Sequence, residues 1–260
     1  MEYTTIEVRH ADRIAFVTMN RPDKRNALND VMIKELSDAF AFLQRQNSLR
    51  VIILTGNGES FCSGMDLEYL QKYSILSHEE NLDDARNFLK LVFLIHNNKK
   101  IVISMVNGPA MGGGCGLAIA SDFVIVGETK ATLGVPEVQR GFLPAIILLF
   151  LMKRLGESKA REVALTGSIF DANKAKDAGL VSKVVPDDQL LSVTSEFAES
   201  LVTSTSPSTI TLTKELFARF DDMKRSEALD FAVALNALTR KTEDFKKGIE
   251  SFLSKEKPKW

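Results

Sequence analysis

The chain predicts an α/β fold in which a core of alternating strands and helices is followed by an all-α tail. Val51-Ile52-Ile53-Leu54 is a continuous apolar run ending at Thr55-Gly56, the signature of a strand covered on both faces, and an amphipathic helical stretch leads from it to a second apolar strand, Ile101-Val102-Ile103-Ser104-Met105-Val106. After Pro186 the strand pattern disappears, and residues 190–204, 208–220, 225–238 and 242–254 carry only helical spacing. The 260 residues are 45% hydrophobic, enough for a sizeable core. With no Gly/Pro/Ser-rich linker between them, a core of residues 1–195 and a helical region of residues 196–260 are expected to pack together.

Thr5 to Arg9 alternates with period two, His10 to Arg13 supplies a polar turn, and Ile14 to Met19 resumes the alternation, so the chain begins with a hairpin. Asn20 to Leu28 is a polar loop. Ile33, Leu36, Phe40 and Leu43 then recur at helical spacing behind a cap at Asn29 or Asp30. Val51–Leu54 ends at Thr55-Gly56, a helix is expected near Leu82 to Ile95, and the strand from Ile101 follows, so a β-β-α unit is reused. Asp122 to Val126 reads as strand, Pro144 to Arg154 and Lys159 to Leu165 as helices, and Ala172 to Ala178 with Leu180 to Val185 as a helix-strand step.

The 33 Lys plus Arg nearly cancel the 34 Asp plus Glu, so no global field marks a nucleic-acid or membrane-surface binder. Met1 to Thr4 lacks a basic segment leading into an apolar one, and the longest apolar stretch, Ala145 to Met152, is far below membrane-spanning length. A cytoplasmic protein is expected. Cys62 and Cys115 are too few for a disulfide framework. His10, His78 and His96 have no metal-ligand spacing, so no metal site is expected. There is no G-x-S-x-G elbow, phosphate loop or dinucleotide fingerprint.

Chemistry concentrates in two small-residue turns, Phe61-Cys62-Ser63-Gly64-Met65-Asp66-Leu67 and Pro109-Ala110-Met111-Gly112-Gly113-Gly114-Cys115-Gly116. Glycine after a strand lets main-chain N–H groups face a ligand, and two such turns can converge on a carbonyl that becomes an oxyanion. The competing reading is a pair of tight bends, with Asp66 only capping the next helix. Glu137, in Leu133-Gly134-Val135-Pro136-Glu137-Val138, is the carboxylate among apolar neighbours. Such surroundings disfavour its charge and suit it to proton exchange at an acidic carbon. An exposed loop glutamate is the alternative.

Asn20-Arg21-Pro22 with Asn26-Ala27-Leu28, the turn Phe61–Leu67, Val106-Asn107-Gly108-Pro109 with Ala110 to Cys115, Pro136-Glu137, and Ala178-Gly179-Leu180-Val181 together resemble, in order and spacing, the crotonase, or enoyl-CoA hydratase/isomerase, superfamily. The resemblance implies a spiral of β-β-α units, an α-helical C-terminal trimerisation region often forming a dimer of trimers, and a coenzyme A thioester substrate, coenzyme A being part of that substrate and no further cofactor needed. It implies that the N–H groups of Met65 and Gly113 form the oxyanion hole and that Glu137 is catalytic. Ser63, Gly64, Asp66, Leu67, Gly112, Gly116 and Phe142 fall in the implied substrate site, Lys24 or Arg25 beside Ala27 in the adenine and phosphate site, and Phe252 and Lys255 among C-terminal residues that close it, commonly from a neighbouring subunit. Leu67, Leu70, Ile75, Leu76, Phe142 and Leu143 are expected to line the acyl tunnel, under a mobile Tyr73–Asn81 loop.

One position departs from the pattern. Where hydratases of this family carry a first catalytic glutamate, two residues after the triple glycine, this chain has Gly116. Hydration in the family's usual way uses two carboxylates, one to activate water and one to deliver a proton. A 3-enoyl to 2-enoyl isomerase needs one base, so the resemblance favours isomerisation. A hydratase, including one for a branched enoyl-CoA such as methylglutaconyl-CoA, with the missing carboxylate replaced by another group or by the substrate itself, is the runner-up. A non-catalytic, RNA-associated scaffold is a third reading, which near-neutral charge does not favour.

Overall fold

In the computed structural model of the chain, residues 2–73, 75–220 and 223–260 are described; Met1, and Ser74 of the expected Tyr73–Asn81 loop, fall outside them. The N-terminal hairpin pairs β1 (Ile6–Ala11) with β2 (Ile14–Met19). Pairing extends to Ala11↔Ile14, so the turn shortens from the expected His10–Arg13 to Asp12-Arg13. Asp12 accepts the positive φ (50°) that so tight a turn requires.

From β2 the chain winds in one direction. Helical crossovers add β3 (Val51–Gly56), β4 (Ile101–Val106), β6 (Phe123–Gly127) and β9 (Lys183–Val185), each parallel to the last, giving a six-stranded sheet in the order β1-β2-β3-β4-β6-β9. Successive turns also place a short extended segment in a second layer. Leu28 bridges Met65, Cys62 bridges Ala110, and β5 (Ala110–Met111), β7 (Thr132–Gly134) and β8 (Ile169–Asp171) form a three-stranded sheet. One strand of the main sheet, one piece of the second layer and one helix per turn is the expected β-β-α spiral.

The strand alternation divides the core. Ala15, Val17, Met19, Ile52, Leu54, Val102 and Val106 face the spiral interior with α1 (Asp30–Leu43) and α3 (His78–His96). Ile14, Phe16, Val51, Ile53, Ile103 and Met105 face the other way, onto Leu190, Ala198 and Val202 of α7 (Leu190–Ser204). Both faces being covered explains the continuous apolar runs. The expected division at residue 195 lies inside α7.

Asn29 caps α1 by accepting from Met32 N at 3.0 Å. A capping box of Ser77 and Glu80 starts α3 four residues before the expected Leu82. The expected helices 144–154 and 159–165 form one element, α5 (Ala145–Thr166), broken at Gly156, where φ 71° and ψ 164° interrupt the ladder. The last expected strand shrinks from Leu180–Val185 to Lys183–Val185, because the Leu180 and Val181 N–H groups turn back onto Ala175 O behind α6 (Ala172–Asp177). Helices α8 (Pro207–Phe220), α9 (Arg225–Thr239) and α10 (Glu243–Ser254) complete the tail. Lys214 of α8 fastens that tail to the core, pairing with Asp122 and donating to Lys100 O.

Candidate active site

At the carboxyl ends of parallel strands, where open α/β folds place ligands, the segments after β2, β3 and β4 lie side by side. The first is held from within. Asn26, fully buried at φ 54°, donates to Asn57 O (2.9 Å) and Ser60 O (2.8 Å) and accepts from Arg21 N. Arg21 donates to Ala27 O (2.5 Å) and pairs with Asp66 at 3.0 Å. Asp66 accepts from Glu68 N and so starts α2 (Leu67–Tyr73).

These bonds set the direction of the Met65 amide. Leu28 donates to Gly64 O and accepts from Asp66 N, both at 2.8 Å. A parallel bridge that engages the residues on either side of Met65 leaves the Met65 N–H on the opposite side from Leu28. Gly64, at φ 94°, lies against the second turn: a Cβ there would stand 2.8 Å from Met111 O and 3.6 Å from Gly113 N. A Cβ on Gly114 would meet Cys62 O at 2.2 Å. Glycine at both positions is therefore what lets the turns touch.

Gly113 is the first residue of α4 (Gly113–Ala120), every residue of which is buried. Its N–H is one of the donors a helix leaves without an internal acceptor, at the end where the helix dipole favours negative charge. Leu28, Phe88 and Met65 surround it, with side-chain atoms 3.2–3.7 Å from where a Cβ would lie.

Glu137 arrives from the 3-10 turn Pro136–Arg140 after β7. Its Oε1 is 3.0 Å from the Cβ position of Gly112, the residue preceding the Gly113 amide. Its Oε2 is buried without a hydrogen-bond partner. Burial raises the Glu137 carboxyl above the ordinary glutamate range, against the opposing pull of its own backbone N–H and of Arg140. Cys62 and Cys115 are wholly buried free thiols, each pushed up to about 12 by that burial, which removes both as nucleophiles near neutrality.

The structure thus brings together Gly64, Met65, Gly112, Gly113 and Glu137. Gly116, one turn into α4, faces α5: a Cβ there would lie 2.8 Å from Ile147 Cγ1. Ser63 N donates to Arg25 O, tying the first turn to the loop that carries Lys24 and Ala27. Ala27 is buried, whereas Lys24 and Arg25 are exposed, Lys24 pairing with Glu68. Phe142 N donates to Glu137 O while its ring is exposed, as are Leu67, Ile75 and Leu143.

Phe252 and Lys255 belong to a different neighbourhood of this chain. Asp244 of α10 accepts from Ser206 and Ser208, and Trp260 O accepts from Arg13 at the start of β2, so the tail is anchored at the amino ends of the strands. Sequence reasoning overlooked Arg21, Asn26, Phe88 and Ile147. The first two lie in the motif Asn20-Arg21-Pro22 with Asn26-Ala27-Leu28, where an Arg and an Asn within a polar loop were the available signal; the other two are visible only through tertiary contacts.

A β-β-α spiral with glycine-made turns and a carboxylate at their junction defines the class of protein. The family model described as "Enoyl-CoA hydratase/isomerase" matches residues 9–260, and the chain belongs to that family. It is 35% identical over 263 residues to the "Probable enoyl-CoA hydratase, mitochondrial" of Dictyostelium discoideum, covering 100% of this chain and 91% of that one. With the 2,3-dehydroadipyl-CoA hydratase of Escherichia coli it shares 32% identity over 252 residues, 96% of each chain. The crystal structure of an enoyl-CoA hydratase from Shewanella pealeana superposes with a TM-score of 0.92 at 29% identity, over 100% of this chain and 97% of that one. Among the described residues no helix is long and apolar enough to cross a membrane.

Proposed function

We propose that the protein isomerises 3-enoyl-CoA to 2-enoyl-CoA with Glu137 as the single acid-base group. The carboxylate removes a proton from C2. The electron pair moves onto the thioester oxygen, where the amides of Met65 and Gly113 stabilise the dienolate. The conjugate acid of Glu137 returns the proton at C4, so the double bond moves from C3–C4 to C2–C3 with no net change in atoms. The observation that carries this reading is the unpartnered, buried Glu137 oxygen beside Gly112, together with glycine at position 116. A raised carboxyl is matched to taking and returning one proton.

Coenzyme A enters as part of the substrate, and the two amides carry the enolate charge without a further cofactor. Lys24, Arg25 and Ala27 are proposed to contact its nucleotide end. Ser63, Gly64, Asp66, Leu67, Gly112, Gly116 and Phe142 are proposed to surround the thioester and acyl chain. Phe252 and Lys255 are proposed to close the site of a neighbouring subunit in a homotrimer or dimer of trimers. The exposed Phe217, Leu229, Val233, Phe252 and Leu253 on α8–α10 support that assembly, since faces this apolar seek cover.

The names of the relatives favour a second reading, hydration of an enoyl-CoA, including a branched or carboxylated one. Incubation with 2-enoyl-CoA and with 3-enoyl-CoA in heavy-oxygen water separates the two. Isomerisation yields 2-enoyl-CoA free of label; label incorporated into a 3-hydroxyacyl product as the principal outcome favours hydration.

A further inference from the structure

Gly116 is not simply an empty position. The direction in which its side chain would extend is already filled: a Cβ built there lies 2.8 Å from Ile147 Cγ1, 3.3 Å from Cδ1 and 3.7 Å from Cβ. Contacts under 3 Å to a β-branched side chain are not relieved by a small rotation, because the second branch at Cβ leaves Ile few alternative χ1 states. Ile147 itself is only 4% exposed and sits in the first turn of α5. The loop before it runs straight from the Glu137 turn through Phe142, whose N–H bonds Glu137 O at 3.0 Å. One short segment therefore delivers both the acid and an aliphatic branch on α4.

We infer that Ile147 determines reaction specificity: it occupies the ground where a second carboxylate and its water would stand, leaving the acyl face opposite Glu137 apolar. The inference rests on the isomerase reading and deepens it. The dienolate is reprotonated by Glu137 at C4, and the 2-enoyl thioester so formed beneath an aliphatic wall meets no activated water at its electrophilic C3, so it leaves unhydrated. Opening the wall and supplying a base at position 116 creates the missing half of a hydration. That base takes a proton from water as the oxygen bonds to C3, the thioester enolate forms at the two amides, and Glu137 delivers a proton to C2. One water is consumed per 3-hydroxyacyl-CoA formed.

The experiment compares the native protein with Ile147→Ala, Gly116→Glu and the double variant. Each is assayed for 3-enoyl-CoA isomerisation, for 2-enoyl-CoA hydration with heavy-oxygen water, and for thermal unfolding. Gly116→Glu alone is expected to unfold at a lower temperature and to hydrate poorly, since its side chain meets Ile147. Adding Ile147→Ala is expected to restore the unfolding temperature towards that of Ile147→Ala alone and to raise hydration at least about tenfold over the native protein, a small part of what a positioned general base can supply. Gly116→Glu hydrating as well as the double variant, or unfolding no earlier than the native protein, overturns the role of Ile147. So does a double variant that folds and isomerises yet does not hydrate. Failure of the native protein to convert 3-enoyl-CoA is a separate result that removes the isomerase reading; the stability comparison still judges the steric contact.

Discussion

Replacing Glu137 by Gln tests catalysis and stability in one variant, with opposite signs. The carboxamide has nearly the shape of the carboxylate but cannot take a proton from C2, and a positioned acid-base group contributes about 10²- to 10⁴-fold to rate. Isomerisation and solvent exchange of the C2 hydrogen should both fall by that order while acyl-CoA binding persists. Stability should move the other way. The carboxylate lies half-buried against Gly112 with one oxygen unpartnered, and an unpartnered charge costs more to bury than the neutral carboxamide that replaces it. A gain of about 1 kcal/mol in the neutral variant raises Tm by roughly 2–4 °C in a domain of this size. The pH dependence has a fixed sign. Because burial raises this carboxyl, the folded protein holds the proton more tightly than the unfolded chain, and stability is lost as pH rises from the unfolded value, about 4.3, through the folded one. Calorimetry should therefore find the two proteins alike in acid and the Gln variant increasingly the more stable towards neutrality. Unchanged turnover, or a Tm gap that closes as pH rises, refutes the reasoning.

Other perturbations probe other parts of the account. Gly113→Pro deletes the amide at a helix position that tolerates proline; the loss of an oxyanion donor should cost about 10²- to 10³-fold in kcat, read in steady-state kinetics with circular dichroism to check the fold. Gly114→Ala forces a Cβ to within 2.2 Å of Cys62 O, and chemical denaturation should show a loss of at least about 1–3 kcal/mol. Lys214→Met leaves Asp122 and Lys100 O without the ammonium that joins the tail to the core; losing a partly exposed ion pair together with a charged hydrogen bond costs about 1–3 kcal/mol, visible as a lower denaturation midpoint. His96, lowered chiefly by burial and hydrogen-bonded to Ala120 O, makes the native state lose stability as pH falls below about 6.5. His96→Gln should flatten that part of the stability profile.

The sequence and the structure part company in ways that have physical causes. The main sheet was legible because strands buried on both faces must be apolar throughout, as Val51 to Leu54 are. The tail helices were legible because 15-residue periodicities such as α7 are hard to mistake. The second layer was not, because β5, β7 and β8 span two or three residues, too few for a period to register. Of the candidate site, glycine marked both turns, since only glycine admits the approach of Gly114 to Cys62 O. Glu137 stood out by contrast with its neighbours. The Arg21–Asp66 pair and the fit of Ile147 over Gly116 join residues distant in sequence, and no local pattern announces them.

The central claim is that two amides and one acid act on a single thioester, and a crystal structure with a bound non-hydrolysable acyl-CoA analogue tests it most directly. The account predicts the thioester oxygen about 2.7–3.1 Å from both Met65 N and Gly113 N, with C2 facing Glu137. An analogue whose carbonyl engages neither amide, or whose C2 faces away from Glu137, contradicts it.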